Sequence, residues 1–198
     1  MIPTYCKLVL CPHCGGKKEI IQLMSGNTFG AVLWSDSKEI APMFPRVSPV
    51  QKCPTCGHYF FLNEAQIEEG DTYSSEEGWL SFDDAIEAFQ ELNDDKNRLE
   101  LLTIIVVWAF NDMLRQEGSP TQEQYEVFRT TVSSSLKHSI LSNSKLLRAE
   151  LYREIGDFNE CICVLDEYVP ENDFLAGIKT SIIDRAQKQD VRVFVINR

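Results

Sequence analysis

The spacing of apolar positions changes character near residue 80. Before that point apolar residues come in short runs, Tyr5-Cys6-Lys7-Leu8-Val9-Leu10, Glu19-Ile20-Ile21-Gln22-Leu23-Met24, Phe29 to Trp34 and His58-Tyr59-Phe60-Phe61-Leu62. They are rich in β-branched and aromatic residues and bounded by turn formers such as Ser25-Gly26-Asn27 and Ser35-Asp36-Ser37-Lys38, so they predict short strands. Pro42, Pro45 and Pro49 predict an irregular loop over residues 41–50. Residues 64–79 are acidic, with Gly70 and Gly78 among them, and predict a short helix followed by an exposed connector.

From Ser81 onward the period is helical. Ser81 with Asp84 three residues later has the spacing of a capping box, and Ile86, Phe89 and Leu92 mark one face. Asn93-Asp94-Asp95 breaks that helix. Residues 97–115 are apolar nearly all round, which predicts a helix buried by others. After Gly118-Ser119-Pro120-Thr121, the positions Tyr125, Phe128, Val132, Leu136 and Ile140 repeat every three or four residues. Residues 145–155 and 158–168 predict a helical pair, with Gly156 ending the first and Asp157 capping the second. A further helix is expected over 172–188, and the alternating tail Val191-Arg192-Val193-Phe194-Val195 is expected to be extended.

Charge sharpens the division. Residues 1–65 carry six Lys/Arg against four Asp/Glu, whereas the remainder accounts for more than the whole net charge of −11. The expected organisation is a small β-rich module over 1–66, an acidic connector over 67–80 and a helical domain over 81–198, an α+β chain. Such acidity argues against a phosphate backbone as partner. The start Met1-Ile2-Pro3-Thr4-Tyr5 lacks a basic stretch leading into an apolar one, and the longest apolar run, Leu101 to Phe110, is about half of the roughly 20 residues a span needs. A cytoplasmic chain with no membrane association is expected.

The chemistry concentrates in four of the seven cysteines. Cys11-Pro12-His13-Cys14-Gly15 and Cys53-Pro54-Thr55-Cys56-Gly57 both spell C-P-x-C-G. Two thiolates two residues apart can grip one side of a tetrahedral ion if the backbone between them turns sharply, and the glycine allows the positive φ that turns backbone N–H groups toward sulfur. Two such knuckles predict one closed site of Cys11, Cys14, Cys53 and Cys56 for one structural zinc ion, with no open position for catalysis. The pairs resemble the knuckles of zinc ribbons, a resemblance covering residues 5–62, although 38 residues separate them here. A thioredoxin-like redox role would need a βαβ context that is not evident. His13 and His58 are expected to be structural, and Cys6, Cys161 and Cys163 to be core residues.

Ala149, Tyr152, Gly156, Phe158 and Leu165, with Cys161 at a position that takes a small residue, resemble one tetratricopeptide hairpin over about 145–169. An ordinary helix bundle with one tight turn is the other reading. A zinc ribbon joined to such helices resembles an uncharacterised type of bacterial protein, which implies an architecture and no activity. No glycine-rich phosphate loop, G-x-S-x-G or H-E-x-x-H occurs, and no catalytic residue is assigned. The paired carboxylates Asp83-Asp84 and Asp94-Asp95 are expected to serve helix ends. Met43 and Phe44, between prolines, are expected either to cover an interface or to form a binding patch, the first being favoured. The expected function is a non-enzymatic, zinc-binding protein-interaction module. The alternative is a nucleic-acid-associated regulator using Lys17, Lys18, Arg46 and Lys52.

Overall fold

A computed structural model describes residues 2–3, 5–93, 96–138 and 140–196. It shows a small N-terminal β region followed by six helices, the α+β arrangement expected. The chain packs as two compact units, Met1–Ala31 with Ile40–Arg98, and Val32–Glu39 with Leu99–Arg198. The chain therefore passes into the second unit for one short excursion before entering it for good within a helix.

In the first unit, β1 (Ile2–Pro3) pairs with β4 (Leu23–Ser25), and β2 (Lys7–Leu10) lies between β3 (Lys17–Ile20) and β9 (Gln66–Glu69), all antiparallel. A two-residue strand, β5 (Val32–Leu33), begins the excursion, and β6 (Glu39–Ile40) ends it. β7 (Val50–Lys52) pairs with β8 (Tyr59–Phe61), Val50 opposite Phe61 and Lys52 opposite Tyr59. Residues 41–49 hold no helix or strand, as the three prolines require. The helix expected after Asn63 is a correction: a single 3₁₀ turn at Leu62–Glu64 is followed by β9. Ile67 stands opposite Val9 in that pairing, so an acidic stretch with one apolar residue gains its structure from a neighbouring strand, a contact invisible to local periodicity. Residues 67–80 lie within the first unit, where Ser48 N–H donates to the Glu77 carbonyl at 2.8 Å and Ile21 N–H to that of Glu76 at 2.7 Å.

The first helix, α1 (Phe82–Leu92), starts at Ser81, whose hydroxyl accepts from Asp84 N–H at 3.2 Å. The Asp84 side chain does not close a reciprocal box; it accepts from the Ser81 hydroxyl at 2.8 Å instead. Phe82, Ala85 and Ala88 are buried, and α1 lies on β8. Asp94 and Asp95 lie outside the described residues.

The second unit is built on α2 (Lys96–Arg115), α3 (Gln122–Lys137), α4 (Lys145–Glu154), α5 (Phe158–Asp166) and α6 (Asp173–Gln187). Leu102, Ile105, Val106, Val107 and Phe110 of α2 are buried, which explains its nearly continuous apolar sequence. The Phe110 ring stacks on Phe128 of α3 with centroids 4.0 Å apart. Thr121 and Gln124 form a full capping box on α3. Arg148 of α4 donates to the carbonyls of Leu136 (2.9 Å) in the last turn of α3 and Ile140 (2.6 Å) beyond it, satisfying acceptors at that helix end. Gly156 has φ +80° and turns the chain between α4 and α5. Asp157 precedes α5 but makes no side-chain cap, a departure from expectation. Ala149, Cys161, Leu165, Ile182, Ala186 and Phe194 form one buried cluster joining α4, α5, α6 and the tail. Cys163 is exposed, which corrects its expected place in the core; Cys6 and Cys161 are buried. Among the described residues, no helix is long and apolar enough to cross a membrane.

Candidate metal centre

Each cysteine pair is the connection of an antiparallel hairpin. β2 ends at Leu10 and β3 begins at Lys17, so Cys11 to Gly16 is the first turn; β7 ends at Lys52 and β8 begins at Tyr59, so Cys53 to His58 is the second. The two turns have one backbone pattern. Cys11 N–H donates to the Gly16 carbonyl (2.9 Å) and Gly15 N–H to that of Cys11 (2.8 Å). Cys53 N–H donates to the His58 carbonyl (2.9 Å) and Gly57 N–H to that of Cys53 (3.0 Å). Gly15 (φ +71°) and Gly57 (φ +77°) adopt the left-handed conformation that lets each turn close.

The four sulfurs lie within 4.8 Å of one another and could hold a metal ion. Cys11 Sγ is 3.8 Å from Cys56 Sγ, and Cys14 Sγ is 3.6 Å from Cys53 Sγ. A regular tetrahedron with metal–sulfur bonds of about 2.3 Å has edges of about 3.8 Å, so the donor set fits such an ion. Gly16 N–H points at Cys14 Sγ (3.4 Å), and the N–H groups of Thr55 (3.4 Å) and Cys56 (3.5 Å) point at Cys53 Sγ. These contacts disperse thiolate charge. The turns meet closely at Gly16, where a Cβ would stand 2.5 Å from Thr55 Oγ1.

The first cysteine of each pair is rooted in the core and the second faces out. Cys11 and Cys53 are buried with Val9, Ile20 and Phe60, whereas Cys14 and Cys56 are exposed. As bare thiols Cys11, Cys53 and Cys56 cannot ionise alike. Burial pushes Cys11 up. Burial also opposes ionisation of Cys53, but the N–H groups of Cys56 and Thr55 with the neighbouring thiols bring it down to about 6. The His58 N–H favours the Cys56 thiolate, yet burial and the sulfurs of Cys14, Cys53 and Cys11 push it up to about 12. A divalent cation removes this competition and lets all four bind as thiolates.

His13 and His58 are exposed, their rings stacked with centroids 5.0 Å apart, and His58 Nδ1 lies 2.8 Å from Glu91 Oε1. Neither belongs to the sulfur cluster. The second hairpin is braced by α1. Lys52 Nζ is 2.5 Å from Asp84 Oδ1, and the Tyr59 hydroxyl has Asp84 (2.9 Å) and Glu87 (2.8 Å) as the acceptors within reach of its one proton. Lys52 holds the Asp84 carboxyl below its ordinary value. Asp84 therefore does more than serve its helix end. Lys17 is also matched, by Glu68 at 3.1 Å. Met43 and Phe44 remain 39 % and 41 % exposed, and a Cβ on Gly26 would run into the Phe44 ring.

Periodicity gave no warning of a buried polar network in the second unit. Asp36, Asn111, Glu150, Arg153 and Glu154 are almost wholly buried, as is the Arg115 side chain. Arg153 forks onto both oxygens of Glu150 (Nε 2.8 Å, Nη2 2.5 Å) and donates to the carbonyls of Asp190 and Arg192. Asn111 Nδ2 donates to both Asp36 (2.9 Å) and Glu154 (3.0 Å). Its one sequence trace is the opposite charges of Glu150 and Arg153 three residues apart, a spacing that equally suits an ion pair on an exposed helix face.

Compared with protein-family models, curated proteins and solved structures, the chain matches none.

Proposed function

We propose that the protein is a non-enzymatic protein-interaction module whose N-terminal unit is a zinc ribbon closed around one structural zinc ion. The observation that carries this reading is the closed set of four cysteine sulfurs on two congruent hairpin turns. Four thiolates at tetrahedral spacing suit zinc and leave no position for a substrate. The helical unit supplies the partner surface. Support for a tetratricopeptide-like hairpin comes from the packing of α4, α5 and α6 through Ala149, Cys161 and Leu165, with the left-handed Gly156 between the first two. The partner is a protein of unassigned identity, and the chain works in the cytoplasm.

The nucleic-acid reading is weaker. Lys17 and Lys52 are paired with carboxylates, and the first unit carries seven Lys/Arg against thirteen Asp/Glu. A surface of that charge repels phosphate. The test is capture on the tagged full chain from its native lysate, with and without nuclease, read by mass spectrometry. Specific proteins that persist after nuclease support the interaction module. Recovery of nucleic acid, with partners lost on nuclease treatment, overturns it in favour of the regulator.

A further inference from the structure

The excursion Val32–Glu39 is fastened to the helical unit as a strap. Ser35 N–H donates to the Phe194 carbonyl (2.9 Å), Phe194 N–H to Ser35 Oγ (3.1 Å) and Ile196 N–H to the Leu33 carbonyl (2.8 Å). The strap turns back on itself through Trp34 N–H to the Lys38 carbonyl (2.9 Å). At its tip Asp36 is fully buried. Its carboxylate accepts from Lys38 N–H (3.1 Å), Asn111 and Arg115, and its carbonyl accepts from Trp108 Nε1 (3.0 Å).

The same Asn111 nitrogen that holds Asp36 also holds Glu154, which is 2 % exposed. One amide thus joins two buried carboxyl groups from different elements. Among the ion pairs of the described residues, three cations stand against four carboxylates around this site. Arg115 offsets Asp36, Lys38 offsets Asp112 at 2.5 Å, and Arg153 offsets Glu150. Among the described residues Glu154 makes no ion pair of its own, and Arg153, which faces it, is forked onto Glu150. Its Oε1 is buried with no hydrogen-bond partner among the described residues, a position far costlier for an anion than for a neutral acid.

We infer that Asp36, Asn111 and Glu154 form a proton-operated latch: protonated Glu154 keeps the strap seated, and its ionisation places a second anion beside Asp36 and loosens the strap. Burial, then the Glu150 and Asp36 carboxylates, hold the Glu154 carboxyl well above its ordinary value, against the opposing pull of Arg153 and Asn111. From α3, the Tyr125 hydroxyl faces the Glu154 carbonyl at 3.2 Å, and from the tail Asp190 faces Arg153 through its own carbonyl. Because the folded value lies above the unfolded one of about 4.3, the latch contributes fully below that pH and is lost as pH rises toward the folded value.

Glu154→Gln keeps the shape and neutrality of the protonated acid. The test compares wild type and E154Q by denaturant unfolding from pH 5 to 9, with amide exchange of Trp34, Ser35 and Lys38 corrected for intrinsic rate. In wild type the unfolding constant should rise with pH by up to about tenfold per unit more steeply than in E154Q, the limit for one proton. Strap protection should fall over the same window in wild type alone. Identical profiles overturn the latch. The Glu154 carboxyl carbon, followed by NMR in labelled wild type, decides independently of whether E154Q folds. An acid that titrates together with strap protection supports the latch; one ionised at neutral pH while the strap stays protected overturns it.

Discussion

Stripping the metal should unfold the first unit and spare the second. Cys11 and Cys53 lie in the core with Val9, Ile20 and Phe60, so an ion held by them would tie together the centre of the unit and not its rim. Structural zinc in small modules is worth on the order of 10 kcal/mol, comparable with the whole stability of a domain at about 5–15 kcal/mol. The second unit keeps its own core of Leu102, Val107, Phe128, Leu151 and Leu165. Of the 81 residues in α1–α6, the first unit holds the 11 of α1 and the first three of α2, so chelation should remove roughly one-sixth of the far-UV helical signal. Thiol titration gives a second readout. Cys6 and Cys161 are buried and Cys163 is exposed, so metal-loaded protein should show one fast thiol, and chelated protein six, because Cys6 unfolds with the four ligands while Cys161 stays in the second unit. Elemental analysis should give one zinc per chain, and Cys53→Ser should reproduce the chelated state. Correctly folded protein without zinc, or five or more fast thiols before chelation, would refute the reasoning. Loss of all helical signal on chelation would show instead that the chain unfolds as one cooperative block.

Gly16→Ala places a Cβ 2.5 Å from Thr55 Oγ1 and 3.2 Å from Cys14 Sγ, forcing the hairpin turns apart. It should cost about 1–3 kcal/mol, seen as roughly tenfold or greater loss of metal in chelator competition; unchanged retention would mean the turns yield freely. Arg153→Met leaves Glu150 buried without its fork and should cost about 3–5 kcal/mol in denaturant unfolding. Replacing Glu150 by Leu as well should recover much of that loss, and a double variant as unstable as the single one would contradict this account of the pair.

Much of the architecture was legible in the chain because it follows from local physics. The repeated C-P-x-C-G spelling named Cys11, Cys14, Cys53 and Cys56, since a tight turn needs its glycine wherever the turn sits, and the structure brings their sulfurs together. The helices were equally visible, from Ser81 and Thr121 at their starts and from the three-to-four spacing of Tyr125, Phe128, Val132 and Leu136. What remained hidden depends on partners far away in sequence. Gln66–Glu69 is a strand because Lys7–Leu10 offers an edge, although its own residues are mostly acidic. Asp84 looked like a helix-end residue until Lys52 and Tyr59 were placed against it. Asp36, read as part of a turn, is the buried tip of a strap because Asn111 and Arg115 lie 75 and 79 residues away along the chain. Patterns of apolar residues report which face of an element leaves water. They cannot report which buried charge will meet which, because that is settled only when folding brings distant groups within hydrogen-bond reach.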